Sequence, residues 1–163
     1  MHRSSVEVPM GEFKKVLCPV DLAADAGTVA AEAASLAKTL GAELVLLHVM
    51  AEPAFALGDP LLSPIDSAGY TLPPLAEEYR LEMDRRLHRL GDKVRASGVE
   101  VSTRLVRGAT HEAIVSAADS EHADLIVMST HGRTGLQHLL LGSVTERVVR
   151  TAKVPVMTLR LHN

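Results

Sequence analysis

The chain has 163 residues, 47% of them hydrophobic, with a formal net charge of −3. That length fits one domain with a full core, and that hydrophobic share excludes a disordered chain. The acidic balance and the near-absence of aromatic residues (no Trp, two Tyr, two Phe) argue against a nucleic-acid binder, which needs a basic face and stacking rings.

Residues 1–12 are read as a flexible N-terminal tail and 13–163 as one domain. The tail is polar and carries no apolar signal core. No window reaches the roughly 18 apolar residues of a membrane span. The single cysteine, Cys18, excludes an intrachain disulfide and is compatible with a reducing compartment. These features predict a soluble, cytoplasmic protein.

A first strand is predicted over Lys15 to Val20, and Cys18 within it reads as a small core residue. A helix follows from about Ala26 to Leu40, with Val29, Ala33, Leu36, Ala37 and Leu40 on one face and Gly41 where a helix-ending glycine belongs. The second strand, Glu43 to Val49, is continuously apolar, as a strand covered on both faces should be. Residues 50–74 then break the rhythm with Pro53, Pro60, Pro64, Pro73 and Pro74, and are read as a long loop insertion. A flap over a ligand and a tolerated surface insertion explain that loop equally well.

The second helix has the clearest period: Leu75, Tyr79, Met83, Leu87, Leu90 and Val94. Gly98 stops it, and Gly91 inside it should cost about 1 kcal/mol relative to Ala. The third strand, Glu100 to Val106, alternates, which suits an edge position, and Gly108 turns the chain. Thr110 is the expected cap of a third helix ending near His122. The fourth strand is Asp124 to Met128. The fourth helix starts at Ser143, where Ser143-Val144-Thr145-Glu146 has the form of a capping box, and runs to about Thr151. The last strand is Val154 to Leu159; Pro155, lacking an N–H, puts it at a sheet edge, free to pair with a second copy. Strands alternating with helices define an α/β fold with a mostly parallel sheet, and ligands of such sheets sit at the carboxyl ends of the strands.

The stretch from Met128 to Glu146 carries most of the chemistry. It joins a strand to a helix through glycines and hydroxyl residues, and so gathers free backbone N–H groups and a positive helix end, which suits a phosphate chain. An ordinary turn-making connection is the competing explanation. No Lys follows a glycine, so the Walker A mechanism is excluded, and the pattern is not G-x-G-x-x-G. The histidines do not make a metal site: His111-Glu112 lacks the second histidine of H-E-x-x-H, and no zinc is expected.

In this stretch the chain resembles the ATP-binding branch of the universal stress protein family, whose motif after the fourth strand is G-x2-G-x9-G-[ST]. Gly132, nine intervening residues and then Gly142-Ser143 match the later part; Ser129 stands where the family has its first glycine. The likeness extends from Lys15 to Leu159. Val16-Leu17-Cys18-Pro19-Val20-Asp21 resembles the family's first strand, and Leu46-Leu47-His48-Val49 its second. Gly108-Ala109-Thr110-His111-Glu112-Ala113-Ile114 is similar to its G-x-[PA]-x-E-x-I turn, and Val154-Pro155-Val156 to the strand that pairs across its dimer.

The resemblance implies a single-domain Rossmann-like sandwich with helices on both faces, a five-stranded sheet of order 3-2-1-4-5, a homodimer and a bound ATP. Adenine and ribose would lie near Pro19, Val20, Asp21, Val49 and Met128, with Gly108 nearby. Phosphates would lie along Ser129, Thr130, His131, Gly132 and Arg133 and along Gly142, Ser143, Val144 and Thr145. Asp21 would accept a hydrogen bond from the ligand; capping of the first helical turn is its other use. Mg2+ would bridge the phosphates, although the loop offers no obvious carboxylate ligand. No arranged base for activating water is visible, so binding with at most slow hydrolysis is expected, not an enzyme. Two other readings stay open: a dimerising interaction module with no physiological nucleotide, which Ser129 favours, and a small nucleotide-dependent transferase.

Overall fold

A computed structural model describes residues 12–51, 73–130 and 142–160. The expected tail, the interior of the 50–74 insertion and the loop residues His131, Gly132 and Arg133 lie outside the described residues. The elements follow in strict alternation: β1 Lys15–Pro19, α1 Ala26–Leu40, β2 Glu43–Ala51, α2 Pro73–Arg95, β3 Val101–Gly108, α3 Thr110–Ser120, β4 Leu125–Ser129, α4 Ser143–Thr151 and β5 Val156–Leu159. The sheet order is β3-β2-β1-β4-β5, and every neighbouring pair is parallel. β3 and β5 occupy the edges, and Pro155 sits just ahead of β5, where its carbonyl accepts the Ile126 N–H.

Alternation along the inner strands divides the core into two layers. Val16, Cys18, Leu44, Leu46 and Val127 point to the face covered by α1 and α2. Leu17, Val45, Leu47, Ile126 and Met128 point to the face covered by α3 and α4. Both faces are dry, which is why β1, β2 and β4 read as unbroken apolar runs. Cys18 is fully buried, and burial pushes its thiol up to about 12, so it stays neutral and packs as a small hydrophobe.

Helix ends show where expectation and structure differ. The prolines at 73 and 74 begin α2, and β2 runs on through Ala51, so the insertion is shorter at both ends than 50–74. The first turn of a helix has no intrahelical N–H bonds to lose, so proline costs it little there. Ala109, in extended conformation, is the residue preceding α3, and Thr110 is its first helical residue. In α4 the capping position belongs to Gly142; Ser143 is already helical and makes no cap. The capping box does not form, and Glu146 pairs instead with Arg150 at 3.1 Å, one turn on.

Along α2, Met83, Leu87, Leu90 and Val94 are buried as their period requires, whereas Tyr79 is 51% exposed. Gly91 has a packing reason: a Cβ there would lie 2.8 Å from Thr103 Cγ2 on β3. Helix and edge strand approach too closely for a side chain, which offsets the helix propensity lost. Gly91→Ala should therefore lower the urea unfolding midpoint, whereas the same change in a Thr103→Ser background, where Cγ2 is gone, should raise stability by roughly 0.5–1 kcal/mol. Equal effects in both backgrounds would remove the steric explanation.

Candidate functional site

From β1 the chain passes to α1 on one face of the sheet; from β4 it leads to α4 on the other. Neighbouring parallel strands whose connections part in this way leave a crevice beyond their carboxyl ends. A cavity of about 460 Å3 lies there.

One wall comes from β1 and the turn after it. Pro19, Val20 and Asp21 all line the cavity. The Val20 N–H donates to the Leu47 carbonyl at 2.8 Å, which extends the sheet one residue past the strand. Asp21 Oδ1 accepts the Ala23 N–H at 2.9 Å, a local turn that shapes the lip of the cavity before α1 starts. The next residue, Leu22, has φ of 57°, an uncommon backbone state for a branched side chain. Its carbonyl accepts a hydrogen bond from the Arg86 guanidinium of α2 at 2.8 Å, which ties the turn to a rigid helix.

A second wall comes from β2, where Val49 lines the cavity with His48 and Met50 on either side. His48 is buried, and its Nδ1 lies 2.7 Å from the Val20 carbonyl. A carbonyl can only accept, so Nδ1 carries the proton and the ring is fixed in one orientation. The imidazole thus pins the end of β1 to β2 beneath the cavity.

The third wall joins β4 to α4. Met128 and Ser129 line it from the strand; Gly142, Ser143, Val144 and Thr145 line it from the helix. The Gly142 N–H donates to the Thr130 carbonyl at 3.1 Å, and Thr145 Oγ1 donates to the Ser129 carbonyl at 3.1 Å. Those bonds hold the first turn of α4 against the end of β4. At a helix start the first backbone N–H groups have no intrahelical acceptor, and they carry the positive end of the helix dipole. A Cβ on Gly142 would lie 3.3 Å from the Thr130 carbonyl oxygen, a tight contact that a side chain there would relieve only by shifting the helix start or that carbonyl by a few tenths of an ångström. The Thr145 hydroxyl proton is committed to Ser129, leaving that oxygen able only to accept. Ser129 needs no glycine: Leu22 and His122 are the only described non-glycine residues at positive φ.

The expected site residues thus converge, with differences. Gly108, at the end of β3, does not line the cavity, whereas Thr110 and Ile114 of α3 do. Thr130 turns toward β5, its N–H and hydroxyl both donating to the Leu159 carbonyl, at 2.9 and 3.3 Å. His131, Gly132 and Arg133 lie outside the described residues. Sequence reasoning missed His48, Met50, Asp25 and Tyr79, which all line the cavity. The histidine interrupting an otherwise apolar strand was the visible sign of the first. No cluster of three or more potential metal-ligating side chains occurs among the described residues. No described helix is long and apolar enough to cross a membrane.

What this fold and crevice define is an α/β domain of the doubly wound kind with its site at the reversal of strand order. The universal stress protein family model matches residues 12–160, and the chain belongs to that family. Universal stress protein MJ0577 of Methanocaldococcus jannaschii is 33% identical over 160 residues, covering 93% of this chain and 97% of the relative. The solved structure of MJ0577 matches with a TM-score of 0.74 at 29% identity, over 93% of this chain and 99% of that one. A universal stress protein from Archaeoglobus fulgidus, solved in complex with dAMP, shares the fold with a TM-score of 0.62 at 21% identity, over 90% of this chain and 98% of that one.

Proposed function

We propose that this chain is an ATP-binding regulatory protein of the stress response, with the nucleotide seated in the crevice between β1 and β4. The observation that carries the reading is the composition of that crevice. Aliphatic and backbone groups of Val20, Val49 and Met128 form one part, and the first turn of α4 forms the other. An apolar slot suits a purine, and a helix start suits phosphates. Mg2+ enters this reading as a companion of the phosphates.

The chemistry favours holding over turnover. Asp21 is engaged with the Ala23 N–H and His48 with the Val20 carbonyl, so both act as parts of the wall. Hydrolysis, on this reading, is slow at most. A homodimer through the open edge of β5, where Met157 is 42% exposed, completes the proposal; sedimentation at micromolar concentration should give twice the 17.4 kDa chain mass, and a monomer would remove it.

The rival reading, a dimerising module without nucleotide, drew on Ser129 in place of glycine. Ser129 adopts ordinary strand backbone at the cavity wall, so that substitution does not by itself close the crevice. Denaturing freshly purified protein and chromatographing the supernatant should release adenine nucleotide. In calorimetry, Gly142→Val should weaken ATP by about tenfold or more, the worth of roughly one hydrogen bond to a charged group. Unchanged affinity in that variant would take α4 out of the site, and many ATP turnovers per minute would make the protein an enzyme.

A further inference from the structure

Tyr79 sits where a core residue belongs and is not covered. It belongs to the α2 stripe whose later members, Met83, Leu87, Leu90 and Val94, are all buried, yet it is 51% exposed. It lines the crevice, as do Met50 and Ala51 at the end of β2. At Tyr79 the apolar stripe of α2 therefore meets the cavity and solvent instead of the sheet. The crevice is otherwise walled by aliphatic side chains, backbone and polar groups; among the described residues lining it, Tyr79 is the one with a benzene ring. It also stands at the end remote from α4. The sheet order places β1 between β2 and β4, so the two ends are about 10 Å apart, twice the strand spacing. A ligand whose anionic end meets the first turn of α4 turns its other end toward Tyr79.

We propose that Tyr79 is a positioning and specificity residue that stacks on the planar heteroaromatic base of the ligand. The inference rests on the nucleotide reading above and adds to it the group that holds the base. An exposed ring on a helix keeps only two side-chain torsions to order, and a base covering it removes apolar surface from water on both partners. Stacking of this kind tolerates any planar base, so the ring sets a preference for nucleotides over bare polyphosphate.

Two measurements test it on the full chain. Calorimetry with ATP should show Tyr79→Ala weakened roughly tenfold and Tyr79→Phe within about twofold of wild type, since the ring and not the hydroxyl makes the contact. In a Tyr70→Phe background Tyr79 is the only tyrosine and there is no Trp, so intrinsic fluorescence reports on it alone. ATP should quench that emission and saturate at the calorimetric Kd, and inorganic tripolyphosphate, which has no base, should leave it unchanged. Full ATP affinity in Tyr79→Ala, an equal loss in Tyr79→Phe, or quenching by tripolyphosphate would each overturn the assignment while leaving nucleotide binding standing. A wild-type protein that binds no ATP would overturn both. Should Tyr79→Ala fail to fold, the fluorescence comparison still decides.

Discussion

Adjacent parallel strands whose connections leave to opposite faces cannot close over their own carboxyl ends. In this protein that constraint falls between β1 and β4. The chain lays down β1, β2 and β3 outward on one side, then returns to place β4 and β5 on the other. α1 covers one face and α4 the opposite face, so the gap between them is a consequence of topology. Part of the lining lies at or just past strand ends, as Pro19 to Asp21 and Met128 to Ser129 do, and the rest is brought in by the helices, from Val29 of α1, Tyr79 of α2, Ile114 of α3 and the first turn of α4.

Hydrogen bonds internal to the protein hold the rim of this gap. Thr145 to Ser129 and Gly142 to Thr130 seat α4; Asp21 to Ala23 shapes the first turn; Arg86 steadies Leu22; His48 fastens β1 to β2. Together they set the shape of the gap in advance. A site shaped before binding loses less freedom when it binds. The same bonds explain why Asp21 and His48 serve the wall as local structure.

The fold was legible because burial on both faces leaves unmistakable apolar runs in β1, β2 and β4, and because α1 and α2 carry long stripes. The candidate site was legible where residues sit at a strand end, as Pro19 to Asp21 do, and where glycine and hydroxyl residues mark a helix start, as Gly142 to Thr145 do. What escaped were positions set by tertiary placement. Tyr79 reads as core from its period, yet it lies half exposed at the cavity. Gly91 reads as a cost, and only the approach of Thr103 explains it. The cap of α4 moved by one residue because Gly142, tied to Thr130, starts the turn before Ser143 can.

The central claim is that the first turn of α4 meets the anionic end of a nucleotide. Backbone amide resonances of Ser143, Val144 and Thr145 followed during titration with ATP test it most directly. The account predicts that these amides shift together and saturably, along with those of Val20 and Val49 across the crevice. Saturable binding that leaves the three α4 amides unmoved would contradict it.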